Sequence, residues 1–145
     1  MPDRIWLGIY KIGYWNPMQG DKIPSQAIAE LLADFAWGSG TGGATIQLQK
    51  YLNSKGFGLL VDGGFGQKTL NALLTHIKRA GEKQAFEGIY QWRLKFLRSL
   101  STASINPGWF TRMADFYNYG IGIIGKGAPI ILFFWVPVRL FFGMI

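Results

Sequence analysis

Along most of the first 118 residues, apolar side chains recur every three or four positions, the period of a helix with one buried face. Over residues 24–37, Ile28, Leu31, Leu32 and Phe35 share one stripe; Pro24 suits a first turn and Gly38 a stop. A second helix is predicted over 44–55 from Ile46, Leu48, Tyr51 and Leu52, ended by Gly56. A third over 67–78 carries Leu70, Leu73, Leu74 and Ile77, and all three are expected to pack around Phe65. A longer helix over 82–100 shows a broad face of Phe86, Ile89, Tyr90, Leu94, Phe96 and Leu97, with its basic residues mostly outward. Asn106 as N-cap and Pro107 at the first helical position open another, continued by Phe110, Met113, Ala114 and Tyr117. In the N-terminal segment, Trp6, Tyr10 and Tyr14 recur at i, i+4, i+8, which suits a helix face better than a strand, an irregular arm being the alternative.

Two stretches break the pattern. In Val61, Asp62, Gly63, Gly64, Phe65 and Gly66, Asp62 can accept backbone N–H bonds in an Asx-type turn, and Gly63 and Gly66 are the positions where positive φ is expected. The compact turn predicts that Phe65 dives into the core and that Asp62, Gly63, Phe65 and Gly66 organise the flanking helices. The glycine-rich run 38–43 lacks the Gly-Lys-Ser/Thr ending that puts a lysine on phosphates, so it reads as a loop beside a groove.

A chain of 145 residues suits one small domain, and 49% apolar with 16% aromatic residues supports a packed core. Cysteine is absent, which excludes a disulfide scaffold and thiolate metal sites. Fifteen basic against eight acidic residues give a net charge of +7 and an attraction to polyanions whose kind the sign alone does not choose. The basic residues are dispersed apart from Arg93, Lys95 and Arg98 and the patch Lys78, Arg79 and Lys83, so nucleic acid is not an expected partner.

Candidate chemistry is sparse. Glycosidic cleavage uses two carboxyl groups flanking the bond. Asp21 reads as a loop or capping residue, Asp62 as part of its turn, and Glu30 with Asp34 as a like-charged i,i+4 pair that faces solvent, ion binding being the alternative. His76 has no ligand partners in sequence and suits a helix C-terminal contact, so neither a metal nor a cofactor is expected.

Four segments in order carry a resemblance: Ile9-Tyr10-Lys11 with Tyr14-Trp15-Asn16-Pro17; Gly20-Asp21-Lys22-Ile23 with the helix after it; the unit over 47–73; and Asn106-Pro107-Gly108-Trp109-Phe110-Thr111-Arg112-Met113. Over residues 5 to about 118 the chain resembles the phage-type N-acetylmuramidase family, also called secretion-activator proteins, whose C-terminal half is a predicted peptidoglycan domain. The resemblance implies an all-α, lysozyme-like helical domain, and the sequence adds an apolar C-terminal tail. Residues 1–40 would be a remnant of the catalytic side, 41–119 a peptidoglycan-binding-like helical domain, and 120–145 the tail. It implies peptidoglycan as partner, with Tyr14, Trp15, Trp37 and Ser39 as ligand-binding residues and aromatic faces stacking on sugar rings. The family's catalytic glutamate lies in a Glu-Gly-Gly element upstream of the Tyr-Trp segment. Glu30, Glu82 and Glu87 stand in other contexts, so the expected relative is a truncated one with no catalytic residue of its own. Two alternatives stand beside peptidoglycan binding: a muramidase completed by a separate catalytic part, and a membrane-anchored secretion or lysis accessory protein. The expected location is the bacterial cell envelope or a phage.

No resemblance covers the tail. Its uncharged run over 127–138 has 12 residues, against the roughly 20 that span a bilayer, and reaches that length only across Lys126 or Arg139. Insertion in the inner membrane, an interfacial or self-associating segment, and a gene remnant are the three readings of residues 120–145. The N-terminus lacks the apolar run of a signal peptide.

Overall fold

The computed structural model describes residues 3–100 and 108–124. The described residues are helical throughout, with no strand among them. Helix α1 (Asp3–Tyr10) runs on into a wider π-type turn, Lys11–Trp15, and a short 3₁₀ turn, Gly20–Lys22, leads to α2 (Gln26–Ser54). Then follow α3 (Gln67–Ala80), α4 (Glu82–Ser99) and α5 (Gly108–Ile123). The Asn106–Pro107 cap and the tail from residue 125 onward lie outside the described residues. Among the described residues no helix is long and apolar enough to cross a membrane.

The two helices predicted over 24–37 and 44–55 are the two halves of α2, which meet at a kink. The glycine-rich run, where a loop was expected, is a kink in place of a longer loop: the backbone leaves helical geometry at Gly40, at φ 77° and ψ 159°. That backbone suits glycine, because a Cβ would crowd the chain there. Ser25 rather than Pro24 marks the N-terminus: its Oγ accepts from the Ile28 N–H at 3.2 Å, satisfying one of the amides a helix start leaves open.

One hydrophobic core runs from the N-terminal segment to α5, with Tyr10, Met18, Ile28, Leu31, Leu32, Phe35, Leu52, Leu73, Phe86 and Phe116 fully enclosed. Each such side chain contributes roughly 1.5–3 kcal/mol of burial free energy. The first half of α2 is its axis, for Ala27 to Ala36 are all buried. Phe65 is only half-buried and packs on the core's edge, so the helices gather around α2 and not around Phe65.

Full burial of that half overturns the placement of Glu30 and Asp34 in solvent. Both are 0% exposed. Arg93 of α4, expected outward, is also buried; its Nη2 lies 3.8 Å from Asp34 Oδ2 and its guanidinium stacks 4.1 Å from the Phe35 ring centre. Glu30 Oε1 accepts from the Tyr119 hydroxyl of α5 at 3.2 Å. Burial first, with Asp34 adding to it, pushes the Glu30 carboxyl up to about 9, against the opposing pull of Gln26 and Tyr119.

Candidate functional site

Between the α2–α3 loop and the outer face of α3 lies an open groove of about 810 Å³. Phe57, Leu59, Leu60, Asp62 and Gly64 form its loop wall, and Gln67, Lys68, Asn71, Ala72 and Thr75 its helical wall. The loop is fixed at two points. Near its start, Asn53 holds Leu59 through both amide ends: Nδ2 donates to the Leu59 carbonyl at 2.8 Å, and Oδ1 accepts the Leu59 N–H at 2.5 Å.

The second point is Gln49, buried on α2. Its Oε1 accepts from the N–H groups of Asp62 and Gly63 at 3.1 and 3.0 Å. Its Nε2 lies 3.1 Å from Asp62 Oδ1, 3.2 Å from the Gly64 carbonyl and 3.1 Å from Thr69 Oγ1. The Asx turn forms as the sequence predicts, the Gly64 N–H donating to Asp62 Oδ1 at 2.9 Å. That backbone bond first, and Gln49 second, hold the exposed Asp62 carboxyl below its ordinary range. Positive φ falls on Gly63, at 77°, whereas Gly66 takes an extended −95° and acts as the N-cap of α3.

Behind the groove, Tyr51 and His76 form a buried pair, the Tyr51 hydroxyl 2.7 Å from His76 Nε2. Burial, with Lys55 nearby, lowers the His76 pKa below its ordinary 6.5, and burial pushes Tyr51 up to about 12. Phe57 connects this pair to the groove, since its ring packs edge-on to His76 at 6.3 Å while lining the groove wall.

The aromatic residues expected to bind ligand divide into two places. Tyr14 and Trp37 meet edge to face at 5.1 Å, and Tyr10 completes the cluster, stacked on Trp37 at 6.1 Å. Trp15 points elsewhere. It is 2% exposed, its ring covers Gly20 so closely that any Cβ there would overlap it, and its Nε1 donates to Asp21 Oδ1 at 2.8 Å. Ser39 is half-exposed beside the Gly40 break. None of Tyr14, Trp15, Trp37 or Ser39 lines the groove. The link between the two regions is Gln19, whose Nε2 donates to the Phe65 carbonyl at 2.6 Å.

With this geometry the chain can be set beside known proteins. Neither a protein-family model nor a curated protein matches it. Its fold is similar to that of Brucella abortus SagA. The superposition has a TM-score of 0.70 at 26% identity and covers 88% of this chain and 68% of that one. The likeness supports a related all-α fold.

Sequence reasoning missed Gln49 and the Tyr51–His76 pair. A signal existed for the first: Gln49 shares a helix face with Thr45, Leu48 and Leu52, where an uncompensated polar side chain would be costly.

Proposed function

We propose that the protein binds peptidoglycan through the groove between the α2–α3 loop and α3, as a relative of cell-wall muramidases acting in the bacterial envelope or with a phage. The observation that carries this is the groove itself, a rigid wall of apolar Phe57, Leu59 and Leu60 facing polar Gln67, Lys68 and Asn71. Peptidoglycan presents sugar rings and amide-rich, carboxylate-bearing peptide stems, and this pairing of apolar surface with amides and one ammonium fits such a ligand. The four-segment sequence resemblance and the likeness to SagA support the same family-level reading.

Binding is favoured over cleavage because of where the carboxyls lie. Glycosidic hydrolysis uses two carboxyl groups flanking the bond. Asp62 is the one carboxyl lining the groove among the described residues, and it is held in its turn by Gly64 and Gln49. Glu30 and Asp34 are enclosed in the core.

Co-sedimentation with purified peptidoglycan sacculi tests the proposal. The protein should pellet with sacculi, and Leu60→Asp combined with Lys68→Glu, both at exposed positions, should lower the bound fraction by roughly tenfold, a loss of about 1.4 kcal/mol. Equal recovery in the supernatant with and without sacculi would overturn it. Reducing ends released above the buffer level would move the reading from binding to muramidase action.

A further inference from the structure

Helix α1 and the turn that continues it have two unlike faces. Tyr10 and Tyr14 point inward to Trp37. On the other side Ile5, Ile9 and Ile12 stand 52%, 47% and 74% exposed, at the i, i+4, i+7 spacing of one helical stripe. Gly8 and Gly13 fall beside them, and open space surrounds the position a Cβ would take at each. The strip is therefore a bare ridge of three branched aliphatic side chains with no bulk between them.

Its charge setting is one-sided. Asp3 opens α1, but from Ile5 to Gly20 the sequence contains no acidic residue, Lys11 is exposed one residue before Ile12, and the whole chain carries +7. An apolar ridge with an exposed ammonium near it and no carboxylate from Ile5 to Gly20 is complementary to a surface that is apolar just below and negative at its boundary. That combination describes the headgroup region of an anionic bilayer. A second copy of the chain fits less well, for three partly exposed isoleucines offer on the order of a few hundred Å², short of the roughly 800 Å² per partner of a stable interface.

We propose that this face of α1 docks in the plane of an anionic lipid surface, Ile5, Ile9 and Ile12 entering the headgroup boundary and Lys11 lying at phosphate level. The contact goes beyond peptidoglycan recognition and does not depend on it. It lies at the N-terminal end of the fold, away from the α2–α3 groove lining, so both surfaces could be used in one envelope.

The absence of cysteine makes the test direct. Ile9→Cys, with Lys50→Cys on the exposed side of α2 as control, each give a full-length chain with a single thiol for an environment-sensitive fluorophore. Phosphatidylcholine vesicles with phosphatidylglycerol should shift the label at position 9 to the blue and bring it within reach of a lipid-borne quencher. Pure phosphatidylcholine should give little change, and high salt should reverse the effect. The label at position 50 should stay in water. Adding Ile12→Asp to the Ile9→Cys chain should weaken vesicle binding at position 9 by roughly tenfold. The proposal is overturned if the label at 9 stays in water, if both labels respond alike, if Ile12→Asp leaves binding unchanged, or if the shift needs only concentrated protein.

Discussion

At position 49 a single amide joins a helix, a turn and the start of another helix. Gln49 is 1% exposed, and its contacts reach Asp62, Gly63, Gly64 and Thr69. Replacing it by leucine keeps the volume but leaves two backbone N–H groups of the turn without their acceptor. The expected loss is about 2–4 kcal/mol. Gly63→Val should cost about 1–3 kcal/mol, since its φ of 77° strains any branched residue and the new Cβ would press on Ile46 and the Gly42 carbonyl at 3.3–3.4 Å. Gly66→Val should shift stability by less than about 1 kcal/mol, because its backbone is extended and open space surrounds it. Urea unfolding of the three variants checks this order, and a Gly66→Val loss equal to that of Gly63→Val would contradict it. The Asp62–Gly64 bond was legible in sequence because it spans two residues. Which of the two glycines bears positive φ was not, being decided by Gln49 thirteen residues upstream of Asp62.

Between elements, contact is closest where glycine removes bulk. A Cβ on Gly120 of α5 would overlap the Phe86 ring of α4, and one on Gly88 of α4 would overlap the Tyr51 hydroxyl of α2. Helix α5 is further tied by Tyr119 to Glu30 and by the Tyr117 hydroxyl, which donates to Glu87 at 2.7 Å. Gly120→Val should force α5 away from α4 at a cost of about 1–3 kcal/mol. Hydrogen exchange should then quicken over residues 108–123 while the amides of α3 keep their protection; uniform quickening, or none, would count against a local seam. Helices with one apolar face, such as α3 and α4, were readable from that period. The orientation of Glu30 and Asp34 was not readable, because the first half of α2 is enclosed on every side and has no solvent face to hold them. Their partners, Arg93 and Tyr119, come from α4 and α5.

For the whole molecule, two buried titrating groups set opposite limits on pH. The Glu30 pKa is raised from 4.5 to about 9, so its neutral form stabilises the fold fully below 4.5, and that stability is lost as pH rises toward 9. The His76 pKa is lowered from 6.5, so its contribution is present above 6.5 and is lost as pH falls below that value. Glu30→Gln retains an acceptor for Tyr119 without a charge to bury. It should stabilise the fold at pH 8 by on the order of a few kcal/mol, seen as a higher thermal midpoint, and flatten the decline on the alkaline side while leaving the acid side unchanged. An alkaline decline as steep as in the unsubstituted protein would show that another group governs it. The break at Gly40 bears on how such a molecule tolerates change in length. In an unbroken helix one added residue rotates everything after it by about 100°. At Gly40 that rotation need not be passed on, because the second half of α2 is indexed by Gln49 on its turn and by Leu48 and Leu52 in the core. Residues 38–43 thus act as a splice point where a residue can be gained or lost with the groove kept in phase.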